Sequence, residues 1–127
     1  MAETAQEPRS VLIVENEFLV AEFMKQVLED EDIPVVGVAA TPEEAFDLAG
    51  SSRPALALLD IRLSGGSDGI ELGRALRQQH GLRAVFLSGA ADPGTMARLE
   101  EIGAFGFLQK PFGPDQLVEI VRRALET

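Results

Sequence analysis

The run Ala55-Leu56-Ala57-Leu58-Leu59-Asp60, followed by Ile61-Arg62-Leu63-Ser64-Gly65-Gly66-Ser67-Asp68-Gly69, is five apolar residues closed by a carboxylate and released into a glycine-rich loop. A short apolar run with no alternation, bounded by turn residues, reads as a strand buried on both faces. Three other runs end on polar groups in the same way. Val11-Leu12-Ile13-Val14 ends on Glu15-Asn16-Glu17, Val85-Phe86-Leu87 on Ser88, and Phe105-Gly106-Phe107-Leu108 on Gln109-Lys110-Pro111. A fifth run covers 33–39, where Pro34 and Gly37 suit an edge strand.

Between these runs the spacing turns helical. Leu19/Val20, Phe23/Met24 and Val27/Leu28 form one stripe, and Leu117, Ile120/Val121 and Ala124/Leu125 form another. Thr41-Pro42-Glu43-Glu44 places an N-cap threonine before a proline at the first helical position. Asp92-Pro93 and Gly113-Pro114 repeat that signal. Strands are expected near 10–14, 33–39, 55–59, 84–88 and 104–108, and helices near 17–30, 42–50, 69–79, 93–102 and 114–126.

Five strands alternating with five helices make an α/β fold, a doubly wound parallel sheet covered on both faces as a three-layer sandwich. Right-handed crossovers and the strand count select the flavodoxin-like order 2-1-3-4-5. Ligands of such sheets bind at the carboxyl ends of the strands beside the topological switch. Those ends carry Glu15, Asn16 and Asp60.

The chain has 127 residues, 46% hydrophobic and 25% charged, which suits one soluble domain. Residues 1–9 read as a disordered tail and 10–127 as the domain. The formal charge of −10 argues against nucleic acid and anionic membranes as partners. No apolar stretch approaches the roughly 20 residues of a membrane helix. With no cysteine and a polar start, a cytoplasmic location is expected.

A carboxylate such as Asp60 can accept a phosphoryl group, which requires positioning and charge neutralisation rather than covalent help. Magnesium (or manganese) supplies neutralisation through oxygen ligands. Asp60 and the Asn16 amide oxygen are candidate direct ligands, Glu15 acts through water, and the Arg62 backbone carbonyl completes the set. Lys110 can pair with Asp60 at rest and with a phosphoryl oxygen afterwards. Ser88 offers a hydroxyl. Taken singly, Asp60 reads as a solvated loop acid, Asn16 as a helix cap, Ser88-Gly89 as a turn and Phe107 as core. Their joint occurrence at successive strand ends is what the bland readings leave unexplained.

These pieces resemble the receiver domain of bacterial two-component response regulators, over residues 10–126. The matching segments are VLIVENE at 11–17, LLDIRL at 58–63, DGIEL at 68–72, FLSGA at 86–90 and GAFGFLQKPF at 103–112. The resemblance implies that Asp60 is the phosphoacceptor, that Glu15 and Asn16 fill the acidic-pair positions, and that Lys110 is the site lysine. It implies that Ser88 and Phe107 are switch residues and that the Lys110–Pro111 bond is cis. Ser88 would move toward the phosphoryl group and Phe107 would turn inward. The face built from the fourth helix, fifth strand and fifth helix would then change its affinity for a downstream protein. The implied donor is a histidine kinase or histidine phosphotransfer protein. The domain would work as a monomer or a phosphorylation-dependent homodimer. Met1 and a terminal helix suggest a stand-alone receiver that assists its own phosphorylation without being an enzyme for another substrate.

Three departures stand out. Asn16 occupies a position where the family usually has an acid. Two carboxylates about 4 Å apart repel by about 4 kcal/mol at an effective dielectric of about 20. Asn16 relieves that repulsion and lowers the expected magnesium affinity. Phe107 lacks the hydroxyl a tyrosine would bring. Gly65-Gly66 lengthens the loop after Asp60 by one residue relative to the commonest spacing. The alternative is a pseudo-receiver, with the same fold but phosphorylation-independent protein binding, for which Asn16 is the best support. A flavin carrier fits poorly because Glu15 and Glu17 would repel phosphate. A dehalogenase-type phosphatase would need a second aspartate after the first strand. His80, the only histidine, is expected at the surface.

Overall fold

In a computed structural model, which describes residues 9–63, 66–90 and 92–126, the five apolar runs lie side by side as parallel strands. In chain order the elements are β1 (Val11–Val14), α1 (Phe18–Asp30), β2 (Val35–Ala39), α2 (Pro42–Ser52) and β3 (Leu56–Asp60). They continue with α3 (Gly69–His80), β4 (Arg83–Ser88), α4 (Pro93–Glu101), β5 (Gly106–Gln109) and α5 (Pro114–Glu126). The sheet order is β2-β1-β3-β4-β5, as expected, with β2 at an edge. Residues 1–8 of the expected tail lie outside the described residues, as do Ser64 and Gly65 of the loop after β3, Ala91 and Thr127.

Alternate residues of each strand feed opposite layers. Leu12, Val14, Ala57, Leu59 and Phe86 pack with α2, α3 and Leu99 of α4, whereas Val11, Ile13, Leu56, Leu58, Val85 and Leu87 pack with α1 and α5. Both faces being covered is why the runs are continuous rather than alternating.

The caps act where the sequence marks them. Thr41 Oγ1 accepts the Glu44 N–H at 3.2 Å, and Asp92 Oδ1 accepts the Thr95 N–H at 2.9 Å. The caps also set where helices stop. α2 runs to Ser52, two residues past the expected end, because Arg53 turns left-handed (φ 50°) and returns its N–H to Ala49. α3 ends at Gly81 (φ 65°), where glycine adopts the left-handed turn without strain. Strand 2 begins at Val35 rather than residue 33, since the Ile33 N–H closes α1 on Leu28 and Pro34 has no N–H to give.

The register aligns the polar strand ends. Val14 pairs with Leu59, Asp60 with Leu87, and Ser88 with Gln109. α3 is pressed against the end of β3, where the Gly69 N–H donates to the Ile61 carbonyl at 2.7 Å. A Cβ on Gly69 would collide with the Asp60 carbonyl oxygen, so only glycine fits beside the strand end.

Candidate functional site

Three chain segments meet at the carboxyl edge of the sheet. The end of β1 brings Glu15, the end of β3 brings Asp60, and the residue after β5 brings Lys110. The Lys110 N–H donates to the Ser88 carbonyl at 2.8 Å, so β4 holds the lysine backbone beside the site. The Lys110–Pro111 peptide is cis, as the resemblance implies.

Asp60 is 6% exposed. Its Oδ1 accepts the Arg62 N–H at 3.0 Å and its Oδ2 accepts from Lys110 Nζ at 3.1 Å. Glu15 is 1% exposed; its Oε2 accepts the Glu17 N–H at 3.1 Å. Its Oε1 lies 3.0 Å from Lys110 Nζ, an ion-pair contact. That contact falls outside hydrogen-bond geometry, so Oε1 is buried without a hydrogen bond among the described residues. Burial pushes the Glu15 carboxyl above its ordinary value, against the lowering influence of Lys110 and the Glu17 amide. Burial alone would lower the Lys110 ammonium, yet its contacts with Glu15 and Asp60 prevail and raise it. At neutral pH the lysine is therefore firmly charged.

The expected site residues do not all touch. Glu15, Asp60 and Lys110 are in direct contact. Ser88 sits at the neighbouring strand end and is 7% exposed, with its Oγ accepting the Ala90 N–H at 3.1 Å. Phe107 is half-buried on β5, packed against the layer that contains Phe86. It faces a shallow groove with Pro93, Met96 and Ala97 of α4. Asn16 is exposed at the end of β1. Arg62 engages Asp60 through its N–H and forms an isolated antiparallel bridge with Asp68.

Two residues without an assigned role from the sequence join the site's surroundings. Glu17 Oε1 lies 3.8 Å from Lys110 Nζ, a third carboxylate on the same ammonium. The only signal for it is its place two residues after Glu15. Asp68 caps α3 by accepting the Ile70 N–H at 2.9 Å and pairs with Arg98 Nη2 of α4 at 2.7 Å. Partial burial would raise Asp68, but the Arg98 and Ile70 hydrogen bonds outweigh it and hold the carboxyl below its ordinary value. The loop after Asp60 is thus fastened to α4.

Oxygen donors of this kind suit magnesium or manganese. The buried Glu15 Oε1, met by an ion-pair contact but by no hydrogen bond among the described residues, is the sort of atom a divalent ion or its water takes up. Among the described residues no three His, Cys, Asp or Glu side chains are grouped to hold a metal. An ion here would therefore draw on an amide and a backbone carbonyl as well as on Glu15 and Asp60.

The response regulator receiver domain model matches residues 11–122. The chain is 36% identical over 122 residues to the response regulator Rre1 of Synechocystis, covering 94% of this chain and 52% of that protein. It is 29% identical over 118 residues to the transcriptional regulatory protein PdtaR of Mycobacterium tuberculosis, covering 93% and 57%. It is 35% identical over 119 residues to the nitrogen assimilation regulatory protein NtrX of Azorhizobium caulinodans, covering 92% and 26%. The chain thus spans about half or less of the length of these relatives. Among solved structures, the receiver domain of NtrX from Brucella abortus superposes with a TM-score of 0.86 at 32% identity, covering 93% of this chain and 99% of that one. A CheY-like receiver domain protein from Methanospirillum hungatei gives 0.84 at 28% identity, covering 93% and 94%. No described helix is long and apolar enough to cross a membrane.

Proposed function

The chain belongs to the response regulator receiver domain family of two-component systems, and from that premise we propose that it accepts a phosphoryl group on Asp60 from a histidine kinase or histidine phosphotransfer protein. The observation that carries this reading is the contact of Lys110 with both buried carboxylates, Glu15 at 3.0 Å and Asp60 at 3.1 Å. An Asp60 carboxylate oxygen attacks phosphorus of the donor phosphohistidine. The P–O bond forms as the P–N bond breaks, and the imidazole nitrogen leaves with the bonding pair. Lys110 shifts from Asp60 Oδ2 to a phosphoryl oxygen, and the Ser88 hydroxyl donates to another. Asp60, the Asn16 amide, the Arg62 carbonyl and Glu15 (through water) would hold magnesium or manganese, which would supply neutralisation of the developing phosphoryl charge. Hydrolysis returns the carboxylate when water attacks phosphorus and the P–O bond to Asp60 breaks.

The output is a surface change rather than turnover of another substrate. Ser88 moving toward the phosphoryl group leaves room for Phe107 to turn inward from the groove beside α4. The face formed by α4, β5 and α5 then meets its downstream protein in an altered shape, in the monomer or in a phosphorylation-dependent homodimer. A net charge of −10 fits protein partners better than nucleic acid or anionic membrane, and the cytoplasm is the compartment where the kinase donor works.

Acetyl phosphate with magnesium tests the reading. The intact protein should gain one phosphoryl mass, gain none when chelator replaces magnesium in the reaction, and gain none as Asp60→Ala. Asn16 favours one second reading, a pseudo-receiver that binds its partner without phosphorylation. No mass gain by the wild type would leave that reading standing.

A further inference from the structure

We propose that Glu17 is the third carboxylate of the phosphoacceptor site, a positioning residue supplying the negative charge toward a divalent cation that Asn16 does not. The inference rests on the phosphoacceptor reading above. Three carboxylates contact one ammonium: Glu15 at 3.0 Å, Asp60 at 3.1 Å and Glu17 at 3.8 Å from Lys110 Nζ. One positive charge therefore faces three negative ones; the three side chains are not grouped as a ligand set, so Glu17 would act on a cation through its charge rather than as a ligand.

Glu17 is also committed to this end of the sheet by its backbone. It is the N-cap residue of α1, yet its side chain caps nothing. Its N–H instead donates to Glu15 Oε2 at 3.1 Å. A glutamate is a poor N-cap beside serine, threonine, aspartate or asparagine. Main chain and side chain both turn toward the site. Glu17 is 63% exposed at the side chain, so it lies at the mouth, where it adds charge without the desolvation that burdens Glu15. One added charge at the mouth of a divalent-cation site, in a partly solvated setting, is worth on the order of three- to tenfold in affinity.

The test is a calorimetric titration of the unphosphorylated full chain with magnesium alone, for wild type, Glu17→Gln, Glu22→Gln and the double variant Asn16→Asp/Glu17→Gln. Glu22, exposed on α1 and in no ion pair with Lys110 among the described residues, controls for general net charge. Glu17→Gln should weaken binding about three- to tenfold, with the loss shrinking at high salt. Glu22→Gln should change it far less, and adding Asn16→Asp to Glu17→Gln should restore it. The Lys110 ammonium resonance, one of only two lysine signals beside Lys25, should move in Glu17→Gln before any metal is added. Equal affinity in Glu17→Gln and Glu22→Gln, or an unmoved Lys110 resonance, overturns the assignment. No magnesium binding by the wild type would instead remove the metal-dependent reading on which it rests.

Discussion

The Lys110 ammonium stands 3.1 Å from Asp60 Oδ2, joining two residues 50 positions apart in the chain. They meet because β4 lies between β3 and β5, and because the Lys110 N–H is tied to the last carbonyl of β4. The contact sets an ammonium directly against the buried Asp60 carboxylate. Most of the site's expected behaviour depends on that pairing.

Lys110→Met removes the ammonium that, among the described residues, contacts Glu15, Glu17 and Asp60. Labelling by acetyl phosphate should slow by roughly 10²–10³-fold, the scale of losing one charge-stabilising donor. Unfolding in urea should show a loss of about 1–3 kcal/mol, since hydrogen bonds to charged groups go. Magnesium affinity should not fall, because the repelling ammonium is gone.

Asn16→Asp restores an acid at the end of β1. Magnesium affinity should rise on the order of tenfold for one added charge. The fold should become less stable without metal, because another carboxylate joins Glu15 and Asp60. Calorimetric titration and urea midpoints, with and without magnesium, read both effects. Equal or weaker binding in the variant would count against the assigned role of position 16.

Burial holds the Glu15 carboxyl above its ordinary 4.5, so the fold disfavours its ionised form. Its contribution to stability is complete below 4.5 and declines as the pH rises through the raised value. Glu15→Gln should therefore unfold at higher urea than wild type near pH 8, with the advantage gone near pH 4. The same variant should lose magnesium affinity, separating what the residue does for binding from what it costs in folding.

Gly69→Ala forces a methyl into the Asp60 carbonyl, a backbone atom that cannot swing aside. Overpacking against backbone should cost at least about 2 kcal/mol. Because the displaced atom belongs to Asp60, labelling should fall as well. Gly66→Ala, where nothing lies within 4 Å but φ is +77°, should cost about 1 kcal/mol or less and leave labelling intact.

Arg98→Ala cuts the tie between α4 and the cap of α3. The pair is half-exposed, so the loss should stay within about 1 kcal/mol and fade in salt. The Asp68 carboxyl, held below 3.8 chiefly by the Arg98 and Ile70 hydrogen bonds working against its burial, should titrate higher in the variant. In the wild type its contribution is present above 3.8 and lost as the pH falls through the lowered value. Carbon-detected carboxyl titration follows this directly.

Local pattern made the framework legible. The non-alternating runs near 10–14, 55–59 and 84–88 read as strands covered on both faces, and Thr41-Pro42 and Asp92-Pro93 marked helix starts to the residue. Asp60 and Lys110 stood out because their types and strand-end positions suit one chemistry. Glu17 did not stand out, since an acid after a strand is ordinary and its value lies in a distance. Asp68 looked like a loop acid, and nothing local pairs it with Arg98, 30 residues on.

The sequence by itself determined the number and kind of elements, their order in the sheet, and the set of polar groups at the strand ends. Periodicity, capping and crossover handedness are short-range rules, and they act on residues that are near one another in the chain. The tertiary structure alone decided that Lys110 touches Glu15 as well as Asp60, that one oxygen of Glu15 is buried without a hydrogen bond among the described residues, and that Glu17 lies 3.8 Å from the same ammonium. Those facts depend on register, on side-chain rotamers and on which atoms lose water. All three are set only when segments far apart in the chain pack together.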